Sequence, residues 1–144
     1  MAADSKTISR RVFEEIWNSK KLDAAHELMT SDYAHHDPQA PVAPEGIDGY
    51  KKFVTHFQHA FPDLRFHIEE EFSDGQNVAT RWTATGTYKG DLSGIAPTGT
   101  NISVTGMTIA RVKDGKVVES WSNWDTLGLM QQLGVASRTG RPAA

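Results

Sequence analysis

The sequence predicts an α+β fold in which N-terminal helices pack on one face of a strongly curved antiparallel sheet. Three observations predict it: apolar residues recur every three or four positions through the first sixty residues, they alternate with polar ones from Leu64 onward, and Gly-rich turns separate four strand-like runs. A sheet that curls over its helices makes a cone, and the floor of a cone is a natural ligand cavity.

The elements follow in order. Ile8, Val12 and Ile16, with the adjacent Phe13 and Trp17, describe a helix from Ser5 to Asn18 that is buried on one face and capped by Asp4 or Ser5. After the turn Ser19-Lys20-Lys21, the run from Leu22 to Met29 predicts a shorter helix with Asp23 capping its first turn. Between Tyr33 and Pro44 three prolines forbid helix, and this segment is expected to be irregular. Ile47, Tyr50, Val54, Phe57 and Phe61 predict a third helix that Pro62 stops.

From Leu64 the period changes to two, through Phe66, Ile68, Glu70 and Phe72, up to a hairpin turn at Asp74-Gly75. Asn77 to Lys89 is a second strand, Ile102 to Lys113 a third, and Asp114-Gly115 turns the chain into a fourth, Lys116 to Asp125. The stretch Gly90 to Gly99 is too rich in Gly and Pro for either element. Leu127 to Leu133 forms a short closing helix ended by Gly134, and residues 136–144 are expected to be a frayed tail. The expectation is one domain over residues 1–144, with a core of about 7–135.

Bulk composition removes whole classes of function. A net charge of −3 without any Lys/Arg cluster argues against nucleic acid as a partner. The absence of cysteine excludes disulfides, zinc-thiolate sites and thiol nucleophiles, and suits a reducing cytosol. No apolar run has the length of a signal peptide core or a membrane span, so a cytoplasmic protein without membrane association is expected. Neither G-x-S-x-G, nor G-x-x-x-x-G-K-[ST], nor G-x-G-x-x-G occurs, which disfavours serine hydrolases, P-loop NTPases and dinucleotide-binding oxidoreductases. The run His35-His36-Asp37 and the pair His56 and His59 invite a metal, but adjacent histidines of an extended chain diverge and no further ligand cluster stands at suitable spacing. No metal is expected.

What remains is chemistry that needs only polar side chains in an apolar pocket. A two-residue loop at Asp114-Gly115 pairs Val112 with Val117, Ala110 with Glu119, Thr108 with Trp121 and Gly106 with Asn123, and so gathers Trp121, Asn123 and Asp125 on one face. A single bulge would reverse that assignment beyond it. Among indole rings the Asp125 carboxyl would be disfavoured in its charged form, which is how an acid/base is made; the competing reading is an N-cap of the closing helix. Asn123 is a candidate donor to a developing oxyanion, and Trp17, Trp82, Trp121 and Trp124 are candidates for the wall. Arg81 is placed on the inward face by a two-residue Asp74-Gly75 loop, against a plainer reading as a salt bridge to Glu70. Of His35 and His36 one can line the mouth, and His36 is taken as the substrate-binding candidate together with Thr108.

Phe61-Pro62-Asp63-Leu64, the stretch Val78 to Trp82, Gly86-Thr87-Tyr88-Lys89-Gly90, Gly94 to Gly99, Asp114 to Trp121 and Asp125 to Gly134, in this order, resemble the SnoaL-like polyketide and ester cyclases. The resemblance spans about Thr7 to Val135. It implies the α+β cone of the nuclear transport factor 2-like superfamily, homo-oligomers (dimers or tetramers), no cofactor, a small hydrophobic substrate, and Asp125 as acid/base of an intramolecular aldol condensation that closes a ring of an aromatic polyketide ester. The chain departs from many relatives in carrying Asn123 two residues before that acid and Tyr88 in place of a histidine. Two alternatives stand beside cyclisation: a non-catalytic module that binds a hydrophobic metabolite, and another proton-transfer enzyme of the fold, such as an isomerase, dehydratase or epoxide hydrolase.

Overall fold

The computed structural model describes residues 4–38, 45–92 and 94–135. The expected tail at 136–144 and prolines 41 and 44 lie outside the described residues. Helix α1 (Ser5–Arg11) is capped by the Asp4 carboxylate, which accepts from the Thr7 amide. It runs into a wider π-type segment, Val12–Asn18, whose end is marked by a bond from the Ser19 amide to the Glu14 carbonyl. The second helical stretch is a 3₁₀ turn, Leu22–Ala24, followed by α2 (Ala25–Leu28). Asp23 does not cap it as expected; its carboxylate pairs with Lys51 at 2.8 Å. Helix α3 covers Gly46–Ala60 and α4 covers Thr126–Gln132.

Among the described residues the sheet has five strands rather than four: β1 (Met29–His36), β2 (Arg65–Ser73), β3 (Asn77–Thr87), β4 (Asn101–Lys113) and β5 (Lys116–Trp124), in the order β1-β5-β4-β3-β2. Strand β1 replaces the end of the predicted second helix and the start of the predicted irregular segment. It pairs parallel with β5, so the sheet is antiparallel except at that edge. The sheet curls without closing, and the helices fill its concave side, where Ile16, Trp17, Tyr50 and Val54 meet Val78, Trp82, Val104 and Val117 in one apolar core. No helix among the described residues is long and apolar enough to cross a membrane.

Register decides which residues face that concavity. The β4–β5 turn is the two-residue loop foreseen, with Asp114 and Gly115 both at positive φ and Lys113 opposite Lys116. The register then slips: Val112 pairs with Val117 but Arg111 pairs with Glu119, which leaves Val118 as an extra residue on β5. Because the side-chain period of a strand is two, this one bulge turns every later residue over. Val117, Ser120 and Ser122 are buried, whereas Asn123 is exposed. On the other side, β2 and β3 are joined by a longer turn, in which the Asp74 carboxylate accepts from the Gln76 and Asn77 amides, and a second slip falls between Ile68 and Glu70. Trp82 therefore lies opposite Ile68 on the inner face, and Arg81 lies opposite Glu70 on the outer one.

Candidate active site

The cone encloses a cavity of about 90 Å³, several times what one water needs, walled mainly by rings from the π-type segment, α3 and the sheet. Trp17 sits at its centre of packing, with Phe66 at 4.9 Å and Phe53 edge-on at 6.2 Å between ring centroids. Trp82 donates its indole N–H to Thr108 Oγ1 at 3.0 Å, and Thr108 in turn shares a 2.7 Å bond with Ser122 Oγ from the neighbouring strand. Gly106 makes room for this wall: a Cβ there would fall 2.4 Å from Trp82 Cζ2 and 2.7 Å from Trp124 Cβ.

The polar end of the cavity is built by β1. Tyr33, His35 and Asp37 stand two residues apart in extended chain, so all three side chains share one face and line the hollow. His35 Nδ1 lies 2.8 Å from Ser120 Oγ, which also bonds the Tyr33 hydroxyl. Burial pushes the His35 imidazole down to about 4, against a smaller upward pull from Asp37, so at neutral pH it is uncharged. Burial likewise pushes the Tyr33 and Tyr50 hydroxyls up, and both stay protonated. Asp37 Oδ2 accepts the Trp124 indole N–H at 2.9 Å, and Phe57 meets the Trp124 ring edge-on. A carboxylate, a neutral imidazole and two phenols thus open onto one apolar hollow.

Of the residues singled out in the sequence, Trp17, Trp82, Trp124 and Thr108 line this cavity. Asp125 does not. It is exposed, and its carboxylate accepts from the Gly128 amide at 2.8 Å as the N-cap of α4. The correction has one cause, since the Val118 bulge also carries Trp121 and Asn123 to the convex face. There Trp121 stacks on His36 and lies under the Arg111 guanidinium, 5.0 Å from the ring centroid. Asn123 pairs with Met107. His36 points outward to Glu119 at 2.7 Å, leaving His35 as the inward histidine. Arg81 is exposed and bonded to Glu70, the plainer of its two readings. That His35 and Asp37 together line the cavity does not emerge from the sequence reading, because the prolines that follow hide a strand. The alternation Tyr33, His35, Asp37 was the available signal.

An α+β cone with a lined cavity at its core is a small-molecule-binding architecture, and the comparisons give it a family. Residues 7–133 match the model of the SnoaL-like polyketide cyclases. The chain belongs to that family, whose fold is of the nuclear transport factor 2-like type. It is 28% identical over 127 residues to the aklanonic acid methyl ester cyclase DnrD of Streptomyces peucetius, covering 83% of this chain and 84% of that one. Among solved structures, a protein assigned as a polyketide cyclase from Acidithiobacillus ferrooxidans is 32% identical with a TM-score of 0.82, over 92% of this chain and 96% of that one. One assigned as a SnoaL-like polyketide cyclase from Jannaschia sp. CCS1 is 27% identical with the same TM-score, over 89% and 90%.

Proposed function

We propose that the protein closes a ring in a flat, largely apolar polyketide-type ester by intramolecular aldol chemistry, without a cofactor, and that Asp37 moves the proton. What carries the reading is the placement of a carboxylate at the rim of an apolar cavity in a chain of this family. Asp37 removes a proton from a carbon lying between two carbonyl groups, and the C–H pair becomes an enolate. That carbon attacks an internal carbonyl, a C–C bond forms, and the carbonyl π pair moves onto oxygen. Asp37 returns its proton to the new alkoxide, so product and substrate are isomers and no redox partner enters. So weak a base suits only a doubly activated carbon, and the walls contribute by holding the two reacting carbons together.

Aklanonic acid methyl ester, on which the Streptomyces relatives act by name, is the first compound to assay, with the cyclised isomer followed by chromatography. Asp37→Asn is expected to lower kcat by about 100-fold or more while the ester still binds. Full activity in Asp37→Asn removes Asp37 from the mechanism. A second reading, a binding module without turnover, draws on how few polar groups interrupt the ring-lined wall. It predicts that wild type and Asp37→Asn bind such esters equally and that neither yields product.

A further inference from the structure

The hydroxyls and the imidazole of the cavity carry more protons than they can place among themselves. Tyr33, Ser120 and neutral His35 own three polar hydrogens: two O–H and one ring N–H. Their contacts are Tyr33 with Ser120, Ser120 with His35 Nδ1 at 2.8 Å, and a long 3.4 Å approach of Tyr33 to the same Nδ1. Nδ1 is either donor or acceptor, never both, so in every assignment one hydrogen is left over. Tyr33 and Ser120 are sealed inside at 2% and 3% exposure. The arrangement that satisfies both hydroxyls is a one-way chain, Tyr33 O–H to Ser120 Oγ and Ser120 O–H to Nδ1, which puts the ring proton on Nε2. Nε2 has no partner among the described residues, and the ring lines the cavity.

Tyr50 repeats the pattern. Its oxygen accepts the Trp17 indole N–H at 2.9 Å, and its own proton has no acceptor among the described residues. The Tyr50 and His35 rings meet edge to face with centroids 5.4 Å apart, and both line the hollow. Two buried donors therefore stand side by side with hydrogens to give, one on β1 and one on α3, and His35 is two residues along the chain from Asp37.

We propose that His35 Nε2–H and Tyr50 O–H form a paired-donor site for an oxyanion, receiving the enolate oxygen and then the alkoxide, with Ser120 and Tyr33 as positioning residues that fix the His35 tautomer. The assignment rests on the cyclisation reading for its place in catalysis, but the donor site itself does not. A neutral imidazole suits the role, because it stabilises developing charge by hydrogen bonding and does not surrender a proton to the enolate. Asp37 does not oppose it, since the carboxyl is protonated while the enolate exists.

The test is ionisation of 4-nitrophenol bound to the folded protein, read from the colour of the phenolate. Wild type is expected to favour the bound phenolate, so that the phenol ionises at a lower pH than it does free. Asp37→Asn, which mimics the protonated carboxyl, should deepen that shift. His35→Phe and Tyr50→Phe should each reduce the bound phenolate-to-phenol ratio about tenfold or more, the size of a hydrogen bond to a charged group. Tyr50→Phe leaves the Trp17 indole without its acceptor and can fail to fold, so Ser120→Ala and Ser120→Thr are the second pair. Alanine should lose most of the shift, and threonine, which keeps the hydroxyl, should restore it. An unshifted or absent phenol in wild type, or variants that ionise it as wild type does, overturns the proposal. Turnover is scored separately: a phenolate shift without cyclised ester sinks the cyclase reading and leaves the donor site standing.

Discussion

Ser122 faces Thr108 across β4 and β5 on the cavity side, their hydroxyl oxygens 2.7 Å apart. A hairpin counted straight back from its turn puts Trp121 in that place. The exchange of an indole for a hydroxyl comes from Val118, the residue without a partner in the ladder, and it sets the character of one whole wall.

Deleting Val118 should therefore be far worse than changing it. Without the bulge, Trp121, Asn123 and Glu119 turn into the concavity while Ser120, Ser122 and Trp124 turn out, taking the His35 and Asp37 partners with them. The expected result is loss of cooperative unfolding and of near-ultraviolet circular dichroism. Val118→Thr keeps the residue count and should shift stability by less than about 1 kcal/mol in urea denaturation.

Gly106→Ala tests the close wall. Its methyl would overlap Trp82 and Trp124, both held by hydrogen bonds on their indole nitrogens, so neither ring retreats freely. Overpacking of this kind costs about 1–3 kcal/mol. A lower urea midpoint with altered tryptophan fluorescence is the expected observation.

Asp125→Ala separates cap from catalyst. Losing the bond to the Gly128 amide should destabilise the fold by about 1 kcal/mol, visible as a lowered Tm. Turnover of an ester substrate should stay within about twofold of wild type, because the carboxylate is exposed and caps α4. A collapse of kcat with Tm preserved would return Asp125 to the chemistry.

Acid should unfold the protein partly through His35. Its folded pKa of about 4 lies below the ordinary histidine value near 6.5, because burial disfavours the imidazolium. In the window between those values the unfolded chain binds the extra proton, so stability falls as pH drops from about 6.5 to about 4 and this contribution levels off below. The loss is on the order of 3 kcal/mol for the full window. His35→Phe, which has nothing to protonate, should flatten that part of the urea-midpoint profile.

The elements governed by local chemistry were legible. The period of 3.6 through Ile47, Tyr50 and Val54 gave α3, the capping carboxylates Asp4 and Asp125 gave helix starts, and Asp114-Gly115 gave its turn. Strand β1 was not, because Met29 to His36 owes its extended form to pairing with β5, some ninety residues away, and the prolines beyond it mask its alternation.

For this protein the sequence by itself determined the fold class, the apolar content of the core and the family resemblance, since these are sums over many residues that no single error upsets. Only the tertiary structure decided which face of β5 looks inward, and that Asp37 lines the cavity while Asp125 caps α4. The reason is that register is a property of two strands together. One extra residue, Val118, costs little locally and leaves no mark on the hydrophobic pattern, yet it inverts everything after it.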